Sequence, residues 1–241
     1  MASPESPNSL LLSEDEQLSL ATKLLDEGIF GIHQDPDQVI ILKNGRESPH
    51  YLDVRKGISV PDLRRKLVTD LASLATRQAW QRERKAAIGV YDHIAGTPEA
   101  MTSYAALIAD SLKMSLLQPR VDTAKKTGNK TPILGQFWSG EAVAEFDDVV
   151  TDGQSKIDTI RVLTDAGLEV KDYFVVLDRE EGGAKHVREA TGMSITPALG
   201  VSSMVRILRA DARINKAQFD NVARYLDKYG EDHAKETINT A

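Results

Sequence analysis

The chain has 241 residues, of which 41% are apolar and 27% charged, so it can bury one sizeable core and is not disordered overall. A net charge of −6 argues against binding nucleic acid through phosphate contacts. Cysteine is absent, which excludes disulfides, thiolate nucleophiles and Cys-ligated zinc. No apolar run reaches the roughly 18 residues of a membrane span, and the Ser- and Pro-rich start lacks a basic signal region. These features predict a cytoplasmic protein with no nucleic-acid or membrane partner.

Residues 1–12 read as a disordered lead. Ser13-Glu-Asp-Glu16 is a capping box that opens a helix through Leu18, Ala21, Leu24 and Leu25, ended by Gly28. Val39–Leu42 and His50–Val54 read as strands around a turn at Lys43-Asn44-Gly45-Arg46. Pro61 starts a helix carrying Leu63, Leu67, Leu71 and Leu74. Ala86–Val90 reads as a buried strand, Tyr91–Pro98 as the polar loop after it, and the next helix carries Ala100, Tyr104, Leu107 and Ile108. Ser115–Leu117 reads as another strand. The stretch from Pro119 to Gly140 has no periodic pattern, which predicts a functional loop or an exposed hairpin. Beyond the strand Tyr173–Leu177, residues 184–230 predict a short helix, a brief strand near 194–196 and two terminal helices. Strands alternating with helices over 86–177 imply a parallel α/β sheet, with ligands bound beyond the carboxyl ends of its strands.

The stretch around which the chain is organised is Ala144-Glu-Phe-Asp-Asp-Val-Val-Thr-Asp-Gly-Gln-Ser-Lys-Ile-Asp158. An apolar run ends in Asp147 and Asp148, turns through Thr151-Asp152-Gly153-Gln154-Ser155, and enters a helix with Ile157, Ile160 and Leu163. The N–H groups of a first helical turn are ready phosphate donors, Gly153 permits close backbone approach, and Thr151 and Ser155 add hydroxyls. The two acids repel phosphate. They can accept from sugar hydroxyls or help hold a hydrated magnesium ion. Arg179, in the loop Asp178–Gly183, is expected in the same cleft. The remaining histidines show no metal-ligand spacing.

Asp147-Asp-Val-Val-Thr-Asp-Gly-Gln-Ser155 resembles the phosphoribosyl-pyrophosphate (PRPP) motif of type I phosphoribosyltransferases. Leu42-Lys-Asn-Gly-Arg-Glu-Ser-Pro-His-Tyr-Leu-Asp-Val-Arg55 and Val175-Val-Leu-Asp-Arg-Glu-Glu-Gly-Gly183 resemble segments of the orotate phosphoribosyltransferases. The first motif alone indicates the superfamily; the three together, over roughly residues 20–230, favour the orotate enzymes. The resemblance implies one domain over 13–241, with a small N-terminal hood (about 13–60) over a five-stranded parallel core (about 61–230) flanked by helices. It also implies a homodimer, and the joining of orotate to PRPP with Mg²⁺ to give orotidine monophosphate and pyrophosphate.

By that resemblance Thr151, Asp152, Gly153, Gln154 and Ser155 cradle the 5′-phosphate. Asp147 and Asp148 serve the ribose and the charge that develops at its anomeric carbon. Lys43, Tyr51, Thr151 and Arg179 meet orotate, with Lys43 by orotate or the pyrophosphate; Arg120 and Lys125 are catalytic with Asp147 and Asp148, and Lys126 and His93 bind PRPP at its pyrophosphate. Mg²⁺ is held mainly through PRPP, with no protein side chain assigned as a direct ligand. The family's pyrophosphate-closing loop corresponds to Arg120-Val-Asp-Thr-Ala-Lys-Lys-Thr-Gly128, with Val121 in place of a second basic residue and Thr127 in place of a histidine. Transfer to another base, or sensing of PRPP without turnover, are the alternative functions.

Overall fold

The computed structural model describes residues 12–35, 37–42, 45–84, 87–120 and 132–240. Helix α1 (Glu14–Asp26) starts at the predicted capping box, with the Ser13 side chain accepting from the Glu16 N–H and the Glu16 carboxylate from the Ser13 N–H. Leu12 is only 2% exposed and its carbonyl accepts from Gln17, so it belongs to the fold rather than to a lead. Residues 1–11 lie outside the described residues.

Four short strands follow: β1 (Phe30–Ile32), β2 (Ile40–Ile41), β3 (Glu47–Ser48) and β4 (His50–Leu52). The single hairpin expected over 39–54 is two ladders. β2 pairs with β3, and β4 crosses to pair with β1, both antiparallel. Pro49 separates β3 from β4; it has no N–H to donate to a ladder. Helix α2 (Val54–Gly57) and the long α3 (Pro61–Glu83) complete the N-terminal part, with Pro61 at the start of α3 as predicted.

The alternating part comprises β5 (His93–Gly96), α4 (Thr102–Leu112), β6 (Ser115–Pro119), β7 (Ile133–Leu134), β8 (Ala142–Val150), α5 (Gln154–Asp165), β9 (Glu169–Asp178), α6 (Gly183–Thr191) and β10 (Ile195–Gly200). Helices α7 (Val201–Ala210), α8 (Lys216–Tyr229) and α9 (Asp232–Asn239) end the chain. The main sheet has the order β10-β9-β8-β5-β6-β7. Its first five strands are mutually parallel, as expected, and β7 adds an antiparallel edge. Stacked Phe146 and Phe174, with ring centroids 5.1 Å apart, sit in the main apolar cluster; full burial of such a side chain is worth about 1.5–3 kcal/mol.

One strand is displaced from its expected position. Ala87–Gly89 is a 3₁₀ turn, and the strand is His93–Gly96, so the loop at the ligand edge begins at Thr97 rather than at Tyr91. A polar His93 and a terminal Gly96 hide this strand from an apolar-run reading. Asp92 locks its entrance, donating its N–H to the Ala142 carbonyl and accepting the Ala142 N–H on its side chain. β10 is longer than expected and contains Pro197, which is tolerated because β10 is an edge strand.

Candidate active site

The carboxyl ends of β8 and β9 lie side by side, with Val150 opposite Asp178. From β8 the chain turns through Thr151–Gly153 into α5, and from β9 through Arg179–Gly182 into α6. The two turns press together. Gly153 adopts φ 84°, and a Cβ there would come within 2.7 Å of the Gly183 carbonyl oxygen; a Cβ on Gly183 would fall on the carbonyl oxygen of Thr151. His186 caps the contact, its Nδ1 lying 2.7 Å from the Asp152 carbonyl oxygen. Gly183→Ala is therefore expected to cost about 1–3 kcal/mol by overpacking. Thermal melts check this, and an unchanged melting temperature would contradict the tight contact.

Asp152, Gln154 and Ser155 are exposed on the turn, and Thr151 is half-buried. Asp152 accepts the Gln154 N–H, and the Gln154 amide donates to Asp158. The α5 amino end thus keeps the form expected of a phosphate cradle.

The two adjacent acids differ in setting. Asp147 is 1% exposed. Its Oδ1 accepts the Asp148 N–H at 2.7 Å, and its Oδ2 meets Lys156 Nζ at 2.7 Å and the Tyr173 hydroxyl at 3.2 Å. Asp147, expected to serve the ribose directly, is turned inward and engaged on both oxygens. Asp148 is half-buried, and its Oδ1 accepts the Val149 N–H. Burial first, and then the charge of Asp147, push its pKa up to about 6, while Lys156 pulls the other way. Arg55 of α2 faces it closely enough that Asp148 helps raise the arginine's own proton affinity, after the larger effect of Asp53, which it pairs at 2.7 Å.

Behind Asp147 lies a buried polar chain. Tyr173 and Thr97 have their hydroxyl oxygens 2.8 Å apart, and Thr97 Oγ1 is 3.0 Å from Glu145 Oε1. Burial, followed by the neighbouring Asp147, drives the Glu145 pKa well above the usual carboxylate range. Thr97 opens the loop between β5 and α4. Across from this loop, Arg120 follows β6, and the two line a cavity of about 390 Å³.

The hood closes on the other turn. Arg179 is 3% exposed, donating from Nε to Glu181 at 2.7 Å and from Nη2 to Ser48 of β3 at 2.9 Å. Glu181 also accepts from the Tyr225 hydroxyl at 2.9 Å and from Arg46 at 3.3 Å. His50 packs edge-on against Tyr225, and burial together with Arg179 keeps its imidazole neutral, its pKa well below the ordinary value. Arg179 is thus a tie between hood and core rather than a guanidinium open to a ligand.

Two further expectations are corrected. Tyr51 lies against Gly31, with its hydroxyl 3.5 Å from the Gly28 carbonyl oxygen; adjacent strand residues point to opposite faces, and it is His50 that meets Tyr225. Tyr51 is therefore not brought to Arg179. His93 is the first residue of β5, at the amino edge of the sheet, where Nε2 meets Glu141 at 2.9 Å; three residues of strand, roughly 10 Å, separate it from the carboxyl edge. Lys43, Lys125 and Lys126 lie outside the described residues.

Lys156 and Arg55 were not singled out from sequence. Lys156 falls on the stripe Lys156–Ile160–Leu163, the apolar face of α5, and a lysine there is a signal for a buried partner.

A mainly parallel sheet flanked by helices, with an acid-ended central strand turning through a glycine into α5, has the type I phosphoribosyltransferase fold. No family model matches the chain. An orotate phosphoribosyltransferase of Thermoplasma volcanium is 31% identical over 166 residues, 69% of this chain and 90% of that protein. A solved UMP synthase of Leishmania donovani aligns with TM-score 0.71 at 27% identity, over 88% of this chain and 42% of that one, so this chain spans less than half of that structure. An orotate phosphoribosyltransferase from Aeropyrum pernix shares the fold with TM-score 0.61 at 23% identity, over 79% of this chain and 99% of that one. The chain belongs to the orotate phosphoribosyltransferase family.

Proposed function

We propose that this chain transfers the phosphoribosyl group of PRPP to orotate, releasing pyrophosphate and forming orotidine 5′-monophosphate for UMP synthesis. The observation that carries this is the junction of a sugar-phosphate cradle at 148–155 with a hood segment, 46–50, docked on the 178–181 turn. The α5 amino end receives the 5′-phosphate. Asp148 accepts from the ribose hydroxyls and favours the positive charge that grows at the anomeric carbon as its bond to pyrophosphate lengthens. Arg120 stands at the pyrophosphate side, and Lys43, Lys125 and Lys126 complete the cationic set.

Among the described residues no group of three or more His, Asp or Glu could hold a metal. This donor set fits Mg²⁺ carried by oxygens of PRPP and water, where it would neutralise the leaving pyrophosphate. No helix among the described residues is long and apolar enough to cross a membrane, and we take the enzyme to act in the cytoplasm as a homodimer. Leu134 of β7 and Trp138 in the segment after it, 42% and 69% exposed, are apolar surface of the kind a subunit interface covers. A sedimentation mass equal to that of one chain overturns the dimer.

Incubating the protein with orotate, PRPP and Mg²⁺ is expected to remove the orotate absorbance. The engagement of Arg179 with Glu181 and Ser48 favours a second reading, transfer to a different base. Turnover of another base with orotate untouched would establish it. PRPP binding with no turnover of any base would instead indicate a sensor.

A further inference from the structure

We propose that Lys156 is a positioning residue that holds Asp147 inward and so leaves Asp148 as the one carboxylate of the pair facing the bound sugar. This rests on the reading of the cleft as a PRPP site. Both oxygens of Asp147 have protein donors, and Asp147 and Lys156 are 2% and 5% exposed at their side chains. With three donors on its two oxygens and so little of its side chain exposed, this carboxylate offers almost no acceptor surface to the cleft.

The hydroxyl chain behind it supports this. Tyr173 has one hydrogen, which it gives to Asp147; Thr97 must then give its own to Tyr173. The Thr97–Glu145 contact is a hydrogen bond at the same time only when Glu145 carries a proton. Burial favours that neutral form. The cluster therefore contains a single ion pair, Asp147 with Lys156, and is neutral as a whole.

The outward carboxylate depends on that balance. The charged groups around Asp148 are Asp147 on its own strand, Lys156 on α5 and Arg55 on α2, the last already paired with Asp53. With Lys156 in place, its ammonium offsets the charge of Asp147 and lets Asp148 ionise more easily beside it. Without Lys156, two buried neighbouring carboxylates share a proton, and Asp148 gains its charge only at higher pH.

The test measures kcat/KM for PRPP against pH in the wild type and in Lys156→Met, Lys156→Arg and Lys156→Met/Asp147→Asn, with thermal melts confirming the fold. Ionised Asp148 is the active form, so activity is present above its pKa and falls as pH drops through about 6 in the wild type. In Lys156→Met this acid limb is expected to move up by about one pH unit or more. Adding Asp147→Asn is expected to bring it back, because the lost cation and the lost anion compensate. Lys156→Arg is expected to keep the wild-type limb. A merely structural lysine would lower activity without moving the limb, or would move it with no return in the double variant; either result overturns the proposal. If Lys156→Met does not fold, the comparison is made between the wild type, Asp147→Asn and the double variant: Asp147→Asn alone should lower the limb, and adding Lys156→Met should raise it again. If the wild type turns over no base, the orotate reading fails alone, and the same limb is read from PRPP affinity by titration calorimetry.

Discussion

Replacing Asp148 with asparagine is expected to lower kcat about 10²–10³-fold, the scale of a lost electrostatic group at a developing charge, while the fold stays as stable as before or becomes more so. The two expectations have one cause. Burial and Asp147 raise the Asp148 pKa to about 6, above the roughly 3.9 of an unfolded chain. The stability tied to its proton is present below about pH 4 and lost as pH rises toward 6, so at neutral pH the charged side chain is a cost of about 3 kcal/mol. Asparagine carries no such cost. Chemical denaturation at pH 5 and pH 8 should therefore show a weaker pH dependence in the variant, alongside a steady-state assay showing the lost turnover. Turnover within tenfold of the wild type would remove Asp148 from the chemistry.

Arg179→Ala is expected to cost about 3–5 kcal/mol, the usual penalty for removing one partner of a buried ion pair. Glu181 is 2% exposed at its side chain and, among the described residues, would keep Arg46 and Tyr225 as donors. The Ser48 hydroxyl would also lose its contact with the guanidinium. Adding Glu181→Gln should recover part of the loss, because the stranded charge is then gone. Lysine is a poor substitute, since one ammonium cannot span Glu181 and Ser48 as the planar guanidinium does. Equilibrium unfolding of the three variants separates these cases. A loss below about 1 kcal/mol for Arg179→Ala would mean that the arginine is free to serve a ligand.

The fold was largely legible in the sequence because its local signals agree with its global plan. Ser13 and Glu16 form the capping box that they spell, Pro61 starts its helix, and the alternating strands form five parallel members of one sheet. The strand–turn–helix at 144–158 was legible because an apolar run that ends in polar residues and glycine before a helical pattern marks that junction. The failures are of another kind. His93–Gly96 carries too little apolar signal to be seen as a strand, and its amino-terminal histidine is read into the cleft because the expected strand lies six or seven residues too early. Asp147, Tyr51 and Arg179 were given to ligands by motif alone. Which way each side chain turns depends on partners far along the chain, such as Tyr173 for Asp147 and Ser48 for Arg179. Periodicity could have found Lys156, which stands among apolar positions of α5.

The knot at Glu181 also bears on when the site comes into being. It gathers Arg46 from the hood, Arg179 from the turn and Tyr225 from α8, with 135 residues between Arg46 and its partner. Such distant closures are late events for a chain made from its amino end. A nascent chain that has completed all five parallel strands still lacks Tyr225, and with it one of the donors that hold the hood down over the cradle. The cradle is built from neighbouring segments and can assemble early. The lid over it waits for α8, so the binding cleft reaches its final form only after that helix has been made.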